Sequence, residues 1–412
     1  MPRRAGSSPG GDLKNRTIFT GDNLDIMRGM PDGSFDLIYL DPPFNSKHDY
    51  SAPIGSKAAG AAFRDTWTLS DIDMAWFGQI AERNSQLYKV IDVAGSMKRS
   101  GASMQSYLIY MSIRILEMHR TLRETGCLYL HCDPTMSHYL KLVLDSIFGL
   151  QNFQNDCVWA YRTGGVSKRR WARKHDNLLF YSKDEARYEH NPLKERVYYD
   201  KPFFTSSVDE DGKHYADVYV RNVWDDIKPI INTSRERVGY PTQKPVALLE
   251  RIIEASSSKG DMVFDPFCGC ATSCLAAERL DRQWVGIDIS PRAFDLINDR
   301  LEQEAGMDKF LKGAGIVIHR TDIPRRKGVR SKEIKHMLYG TQKGHCNGCG
   351  IHYLFKDMEV DHVVPRIKGG QDDDSNLQLL CGNCNRVKGG RLTMEELRAR
   401  LQKVTAGPSG RG

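Results

Sequence analysis

Three short apolar runs in this chain carry an aspartate at or just past their ends. FDLIYL (Phe35–Leu40) is followed by Asp41, MVFDPF (Met262–Phe267) contains Asp265, and WVGIDI (Trp284–Ile289) contains Asp288. Each run reads as a buried strand, as do GCLYLHC (Gly126–Cys132) and NLLFYS (Asn177–Ser182). Between them apolar residues return at helical spacing. Leu108, Met111, Ile115, Met118 and Leu122 precede GCLYLHC, and Tyr139, Leu142, Val143 and Ile147 follow it, with Gly149 placed to stop that helix. Further helices are expected over Val246–Ala255, from Thr272 and from Arg292. Strands alternating with helices in this way predict an α/β fold with a doubly wound sheet.

At 412 residues the chain exceeds one ordinary core, so two domains are expected, with room for a third. With 40% apolar and 27% charged residues it reads as globular. It has no run of about 18 apolar residues that could span a membrane. Its first residues, MPRRAGSSPGGDLKN, lack an apolar core, so residues 1–16 read as a flexible basic tail rather than a secretory signal. The net charge of +7 suits a polyanionic partner. Of ten cysteines, Cys346, Cys349, Cys381 and Cys384 form two C-x-x-C pairs. The other six read as reduced thiols of a cytoplasmic protein. Tyr188–Gly239 is polar, aromatic and weakly periodic, and reads as an insertion into the sheet domain, residues 17–319. Residues 320–343 are strongly basic and read as a linker to a Cys/His-rich unit over 344–392. Residues 393–412 read as a terminal helix, begun by a capping box of Thr393 and Glu396, and a tail.

The Asp265 strand runs into a Gly/Cys-rich turn and a helix, and a second strand ends in Asp288 about 20 residues on, as in a nucleotide-type cofactor site. Small residues let the backbone approach the ligand, and Asp288 can accept both hydroxyls of a ribose. A P-loop is excluded, and the dinucleotide fingerprint fits poorly.

The tetrapeptide Asp41-Pro42-Pro43-Phe44 resembles the [DNS]-P-P-[YFW] motif of amino-directed DNA methyltransferases, which modify adenine N6 or cytosine N4. By that resemblance Asp41 and the Pro42 carbonyl accept hydrogen bonds from the target amino group. Pro43 helps fix the carbonyl direction, and Phe44 stacks on a base flipped from the duplex. DPFCG resembles the family's S-adenosylmethionine loop, which implicates Asp265, Phe267 and Gly269 beside Asp288. YPTQKPVALLERII resembles the segment before it, which implicates Thr242 and Lys244, and TGDNLDIMRGM places Asp22 at the cofactor adenine. Ala271 departs from the glycine or other small residue usual at its position. The resemblance covers about Thr17–Gly306 and implies a mixed, mostly parallel class I methyltransferase sheet. The catalytic motif precedes the cofactor loop, which is the permuted β-type order. It also implies that residues 188–239 read the DNA sequence and that SKRRWARKH (Ser167–His175) grips phosphates. An aspartate in the tetrapeptide favours N6 over N4.

The two C-x-x-C pairs predict a tetrahedral zinc site of structural role. Between and after them, VDHVVP, SNLQLL and CNRVK resemble the HNH nuclease family, with its ββα-metal fold. By that resemblance His362 is the general base and Asn376 orients its loop. Asp361 and Asn385 hold a divalent ion, magnesium or manganese; the last position, usually histidine, is asparagine in this chain. The sequence therefore predicts a double-stranded-DNA amino-methyltransferase fused to a nuclease, in a restriction–modification role, with homodimerisation left open. The alternatives are a solitary methyltransferase whose zinc unit only binds DNA, a cytosine N4 enzyme, and an enzyme acting on RNA.

Overall fold

The computed structural model describes residues 13–46, 48–53, 55–59, 61–65, 68, 72–97, 101–162, 166–202, 206–305, 316–322, 333–371 and 374–405. Most of the expected N-terminal tail, residues 323–332 of the expected linker and the last seven residues lie outside these. The chain divides into two compact units: 1–66 with 116–326, and 67–115 with 327–412.

The first unit is built on one nine-stranded sheet. Its strands are β1 (Thr17–Thr20), β2 (Phe35–Leu40), β5 (Leu122–Cys132), β6 (Phe153–Ala160), β7 (His175–Ser182), β11 (Val223–Trp224), β12 (Met262–Asp265), β13 (Gln283–Asp288) and β14 (Ile318–Arg320). Two strands at 49–51 and 62–64 (β3, β4) form a hairpin, and β8 (Lys194–Tyr199), β9 (Ser207–Val208) and β10 (His214–Tyr219) form a small separate sheet. The order across the large sheet is β11-β6-β7-β5-β2-β12-β13-β1-β14. Only β7 runs antiparallel to its neighbours. The sheet is thus mixed and mostly parallel, as expected. The predicted strand Phe35–Leu40 matches the observed one, and its burial on both faces explains its unbroken apolar run. Phe35 stacks on Phe264 of β12 with centroids 4.1 Å apart, fixing the neighbouring strand. Such a pair contributes roughly 0.5–1.5 kcal/mol beyond its area. Helices over Ser137–Phe148 and Val246–Ser256 fall where the periodicity placed them. The inserted region carries all three strands of the small sheet, while its β11 joins the edge of the large one.

The second unit holds more than the Cys/His segment. Residues 320–343, read from their composition as a linker, contain a helix, Glu333–Thr341. That helix packs on Met74–Arg83, a helix far earlier in the chain. The two backbones touch through glycines. A Cβ on Gly78 would lie 1.9 Å from the His336 carbonyl oxygen, and one on Gly340 would lie 1.8 Å from that of Met74. His336 also meets Glu82 across this contact, and Phe355 stacks on His336. A single methyl group at either glycine must push the helices apart. In an ordinary helix Gly→Ala stabilises by up to about 1 kcal/mol. Gly78→Ala and Gly340→Ala should instead destabilise this unit by roughly 1–3 kcal/mol through overpacking. A lowered thermal midpoint by circular dichroism checks this; an unchanged or raised one contradicts the contact.

Candidate functional site

Parallel strands deliver their ends to one edge. In register, Thr20 of β1 faces Asp288 of β13, and Asp265 of β12 faces Gly286. β2 lies between β5 and β12, so Asp41 leaves the sheet beside Asp265. Asp22, Asp41, Asp265 and Asp288 therefore gather at the carboxyl edge of the sheet, where open α/β sheets bind ligands.

Hydrogen bonds tie this edge together. Asp288 accepts from the Gly269 amide at 2.9 Å and the Ser290 amide at 2.8 Å. Asp265 accepts from the Phe267 amide at 2.9 Å and from the Ser273 hydroxyl, so it braces its own turn. Asn23 donates to the Pro266 carbonyl at 2.8 Å, and Asp22 caps the helix Asn23–Gly29 by accepting from Leu24. Burial pushes the Asp265 carboxyl up to about 7, against the two bonds it accepts. Burial likewise raises Asp288 to about 6. Gly269 has φ +52°, and a Cβ there would lie 3.1 Å from the Tyr240 ring, so a bare backbone suits this turn. Ala271 has φ 55° and ψ 37°, left-handed backbone that costs a non-glycine residue about 1–2 kcal/mol. This gives the physical reason for a glycine at that position and the cost of departing from it. Thr242 is exposed in the preceding turn, outside this network.

Lys244, expected at the cofactor, bonds the tetrapeptide at this same edge. It is 8% exposed, its ammonium donates to Asp41 Oδ2 at 2.6 Å, and it sits 5.3 Å from the Phe44 ring centroid. Pro42 is buried, while Asp41, Pro43 and Phe44 are half-buried. Asp65 holds the turn after Phe44 by accepting from the Asn45 and Ser46 amides at 2.6 and 2.9 Å. Behind the tetrapeptide lies a chain of side chains that sequence reasoning missed. Tyr39 hydroxyl meets His131 Nδ1 at 2.9 Å, His131 Nε2 meets Asp176 at 3.0 Å, and the Tyr161 hydroxyl donates to Asp176 at 3.2 Å. His131 is fully buried, with Phe44 stacked 6.2 Å away. Burial raises Asp176, but the His131 and Tyr161 bonds hold it below the usual carboxylate range. The available signal was a histidine inside the apolar run GCLYLHC, which requires a partner.

In the second unit, β15 (Met358–His362) pairs antiparallel with β16 (Leu377–Cys381), and the helix Gly382–Lys388 follows. The ligating atoms of Cys346, Cys349, Cys381 and Cys384 lie within 4.8 Å of one another, a span that fits four thiolates about 2.3 Å from a zinc ion. Burial opposes ionisation of Cys381, but the Cys384 amide and the Tyr353 hydroxyl hold its thiol below the usual range. Asn376 clamps the loop after His362. It accepts from the Val364 amide at 2.8 Å and donates to the carbonyls of Val364 and Gln371 at 3.1 and 2.8 Å. Asp361 and Asn385, expected as ion ligands, are engaged otherwise. The Lys388 ammonium lies 2.8 Å from Asp361 Oδ2 and 2.7 Å from the His362 carbonyl, and the Asn385 amide donates to Glu359. A lysine thus stands where a cation was expected. To hold a divalent ion, Asp361 and Asn385 would have to exchange these partners for it.

Residues 35–299 match the DNA methylase family of the N6/N4 type. The chain belongs to that family. Residues 346–391 match the HNH endonuclease family, so an HNH domain follows the methylase. The type II methyltransferase M.HpaI of Haemophilus parainfluenzae is 24% identical over 290 residues, 70% of this chain and 75% of that one. The DNA adenine methyltransferase YhdJ of Escherichia coli K12 is 25% identical over 280 residues, 67% and 79%. The solved M1.HpyAVI–SAM complex covers 69% of this chain and 98% of its own at 18% identity, with a TM-score of 0.39.

Two outcomes are expected. The folded carboxyls of Asp265 and Asp288 hold protons to higher pH than they would unfolded. Their contribution to stability is therefore present below about pH 4 and lost as pH rises through about 6 to 7. If Asp288 holds the cofactor ribose, as the sequence predicts, cofactor binding runs the other way, because the ionised carboxylate is the better acceptor for two hydroxyls. S-adenosylmethionine affinity by calorimetry should rise with pH around a midpoint near 6, and Asp288→Asn should flatten the profile. The purified chain should also carry one zinc by elemental analysis. Its removal by a chelator should unfold the second unit, since such small units draw much of their stability from the metal.

Proposed function

We propose that this chain methylates adenine N6 in duplex DNA, and that its HNH unit cuts DNA as the restriction arm of the same system. The observation that carries the first part is the Asp41–Lys244 bond. An N–H donor already lies 2.6 Å from the tetrapeptide carboxylate, so that oxygen is oriented to accept from an amino group. A target adenine amino group brings the same donor chemistry. With Asp41 and the Pro42 carbonyl accepting its two N–H groups, the nitrogen lone pair turns out of the base plane toward the donor. S-adenosylmethionine, when bound, supplies the methyl group. The methylated nitrogen then sheds a proton, and the Asp41 carboxylate is the nearest base. Phe44 supplies a flat face for the extruded base, and Asp65 and His131 hold the segment that presents it. The aspartate in the tetrapeptide, and a relative named as an adenine methyltransferase, favour N6 over N4. Action on DNA and the reduced thiols suit a cytoplasmic setting.

In the HNH unit, His362 stands on β15 at the start of a loop clamped by Asn376, which suits a base that takes a proton from water. The Lys388–Asp361 pair favours a second reading for this unit alone, in which it binds DNA without cutting. Asp41→Ala should reduce methyl transfer to unmethylated DNA by at least a hundredfold while cofactor binding persists. His362→Ala should abolish cleavage in Mg²⁺ or Mn²⁺ and leave methylation intact. Full methylation by Asp41→Ala would refute the first assignment. A wild-type chain that cuts neither methylated nor unmethylated DNA with either ion would leave the binding reading of the HNH unit.

A further inference from the structure

The loop between β6 and β7 presents an indole to solvent among cations. Trp171 is 95% exposed, a large departure for a side chain that is highly buried on average. Lys168, Arg169, Arg170, Arg173 and Lys174 surround it in sequence, and no acid occurs between Arg162 and His175. An exposed aromatic so flanked suits a partner that is both polyanionic and stackable, which nucleic acid is and a protein surface seldom is.

The base of the loop is fixed. The Tyr161 amide donates to the Lys174 carbonyl at 2.9 Å, and Arg173 donates to the Thr135 hydroxyl, in the turn after β5, at 2.7 Å. His175 pairs with Ala160 at the last rung of the ladder. The next residue, Asp176, holds His131, on which Phe44 stacks. Trp171 lies five residues before Asp176, at most about 18 Å of chain. The loop thus rises from the same edge of the sheet as the tetrapeptide, anchored one side chain away from the ring assigned to the extruded base.

Extruding a base leaves a gap in the duplex, and its neighbours and orphaned partner lose stacking. Wedge side chains in other DNA-bending proteins fill such gaps. We propose that Trp171 is the wedge that enters the duplex when the target base leaves it, with the flanking arginines and lysines holding the phosphates on either side. This rests on the DNA-methyltransferase reading and assigns a separate step to a separate residue.

The test uses the full-length chain and a duplex carrying its mapped methylation site. Trp171→Ala should lower the single-turnover methylation rate at least tenfold while the Kd for that duplex changes less than threefold. Trp171→Phe, which keeps a flat ring, should recover the rate to within about threefold of wild type. Placing an abasic site opposite the target removes the pairing to be broken, and Trp171→Ala should then approach the wild-type rate. Arg169→Ala with Arg170→Ala should instead weaken binding and flatten its salt dependence. Equal rates for Trp171→Ala and wild type would overturn the proposal. So would parallel losses of rate and binding, or no recovery on the abasic duplex. A wild type that transfers no methyl group to any DNA would instead refute the parent reading, and the wedge with it.

Discussion

Ionised carboxylates are costly to bury, and this sheet directs four aspartates to one edge, where Asp265 is buried, Asp41 and Asp288 are half-buried and Asp22 is exposed. The edge is tenable because each acid has hydrogen-bond or ion-pair partners. Asp288 and Asp265 accept backbone amides of the cofactor turn, and Asp265 adds the Ser273 hydroxyl. Asp41 takes the ammonium of Lys244, and Asp22 caps a helix. The remedies are incomplete at Asp265 and Asp288, whose proton affinities rise. Partial compensation suits a binding edge: a ribose or an amino group adds the donors that the protein withholds.

The strand ends of this edge were legible because they are local. A short apolar run, an acid and a proline or glycine turn lie within a dozen residues, and the four clustered cysteines announce themselves by spacing alone. Lys244 was legible as a site residue but not in its role, because the bond joins residues 203 positions apart. The Tyr39–His131–Asp176 chain is similar, since its members lie on three strands whose neighbourhood only the folded sheet reveals. Gly78 and Gly340 look ordinary in isolation. Their meaning exists only as a pair of helices in backbone contact.

Lys388 shows how a motif can be read correctly in kind and still leave its electrostatics open. The HNH resemblance identified Asp361, His362 and Asn376, and the hairpin and Asn376 clamp are present. The buried lysine that reaches both Asp361 and the His362 carbonyl lies inside the matching segment, but the motif assigns it no role. It is 1% exposed, so removing it would strand a carboxylate, a loss of about 3–5 kcal/mol for a broken buried pair. The lysine therefore has a structural role whether or not the unit cuts DNA.

Chain connectivity also changes what kind of fusion this is. A basic linker between a methylase and a terminal nuclease would make the second unit a detachable cassette. The second unit instead draws 67–115 from within the methylase sequence and 327–412 from its end, so the chain passes between units three times. The helix Met74–Arg83 comes from the first of these segments and Glu333–Thr341 from the second, and they close on each other through glycine. A cut in the former linker would separate this pair and expose the apolar faces it buries, including Phe77, Ile80, Leu338 and Tyr339. The second unit is therefore built in part from chain that lies between the strands of the methylase sheet in sequence, even though each chemistry is assigned to residues of one unit alone.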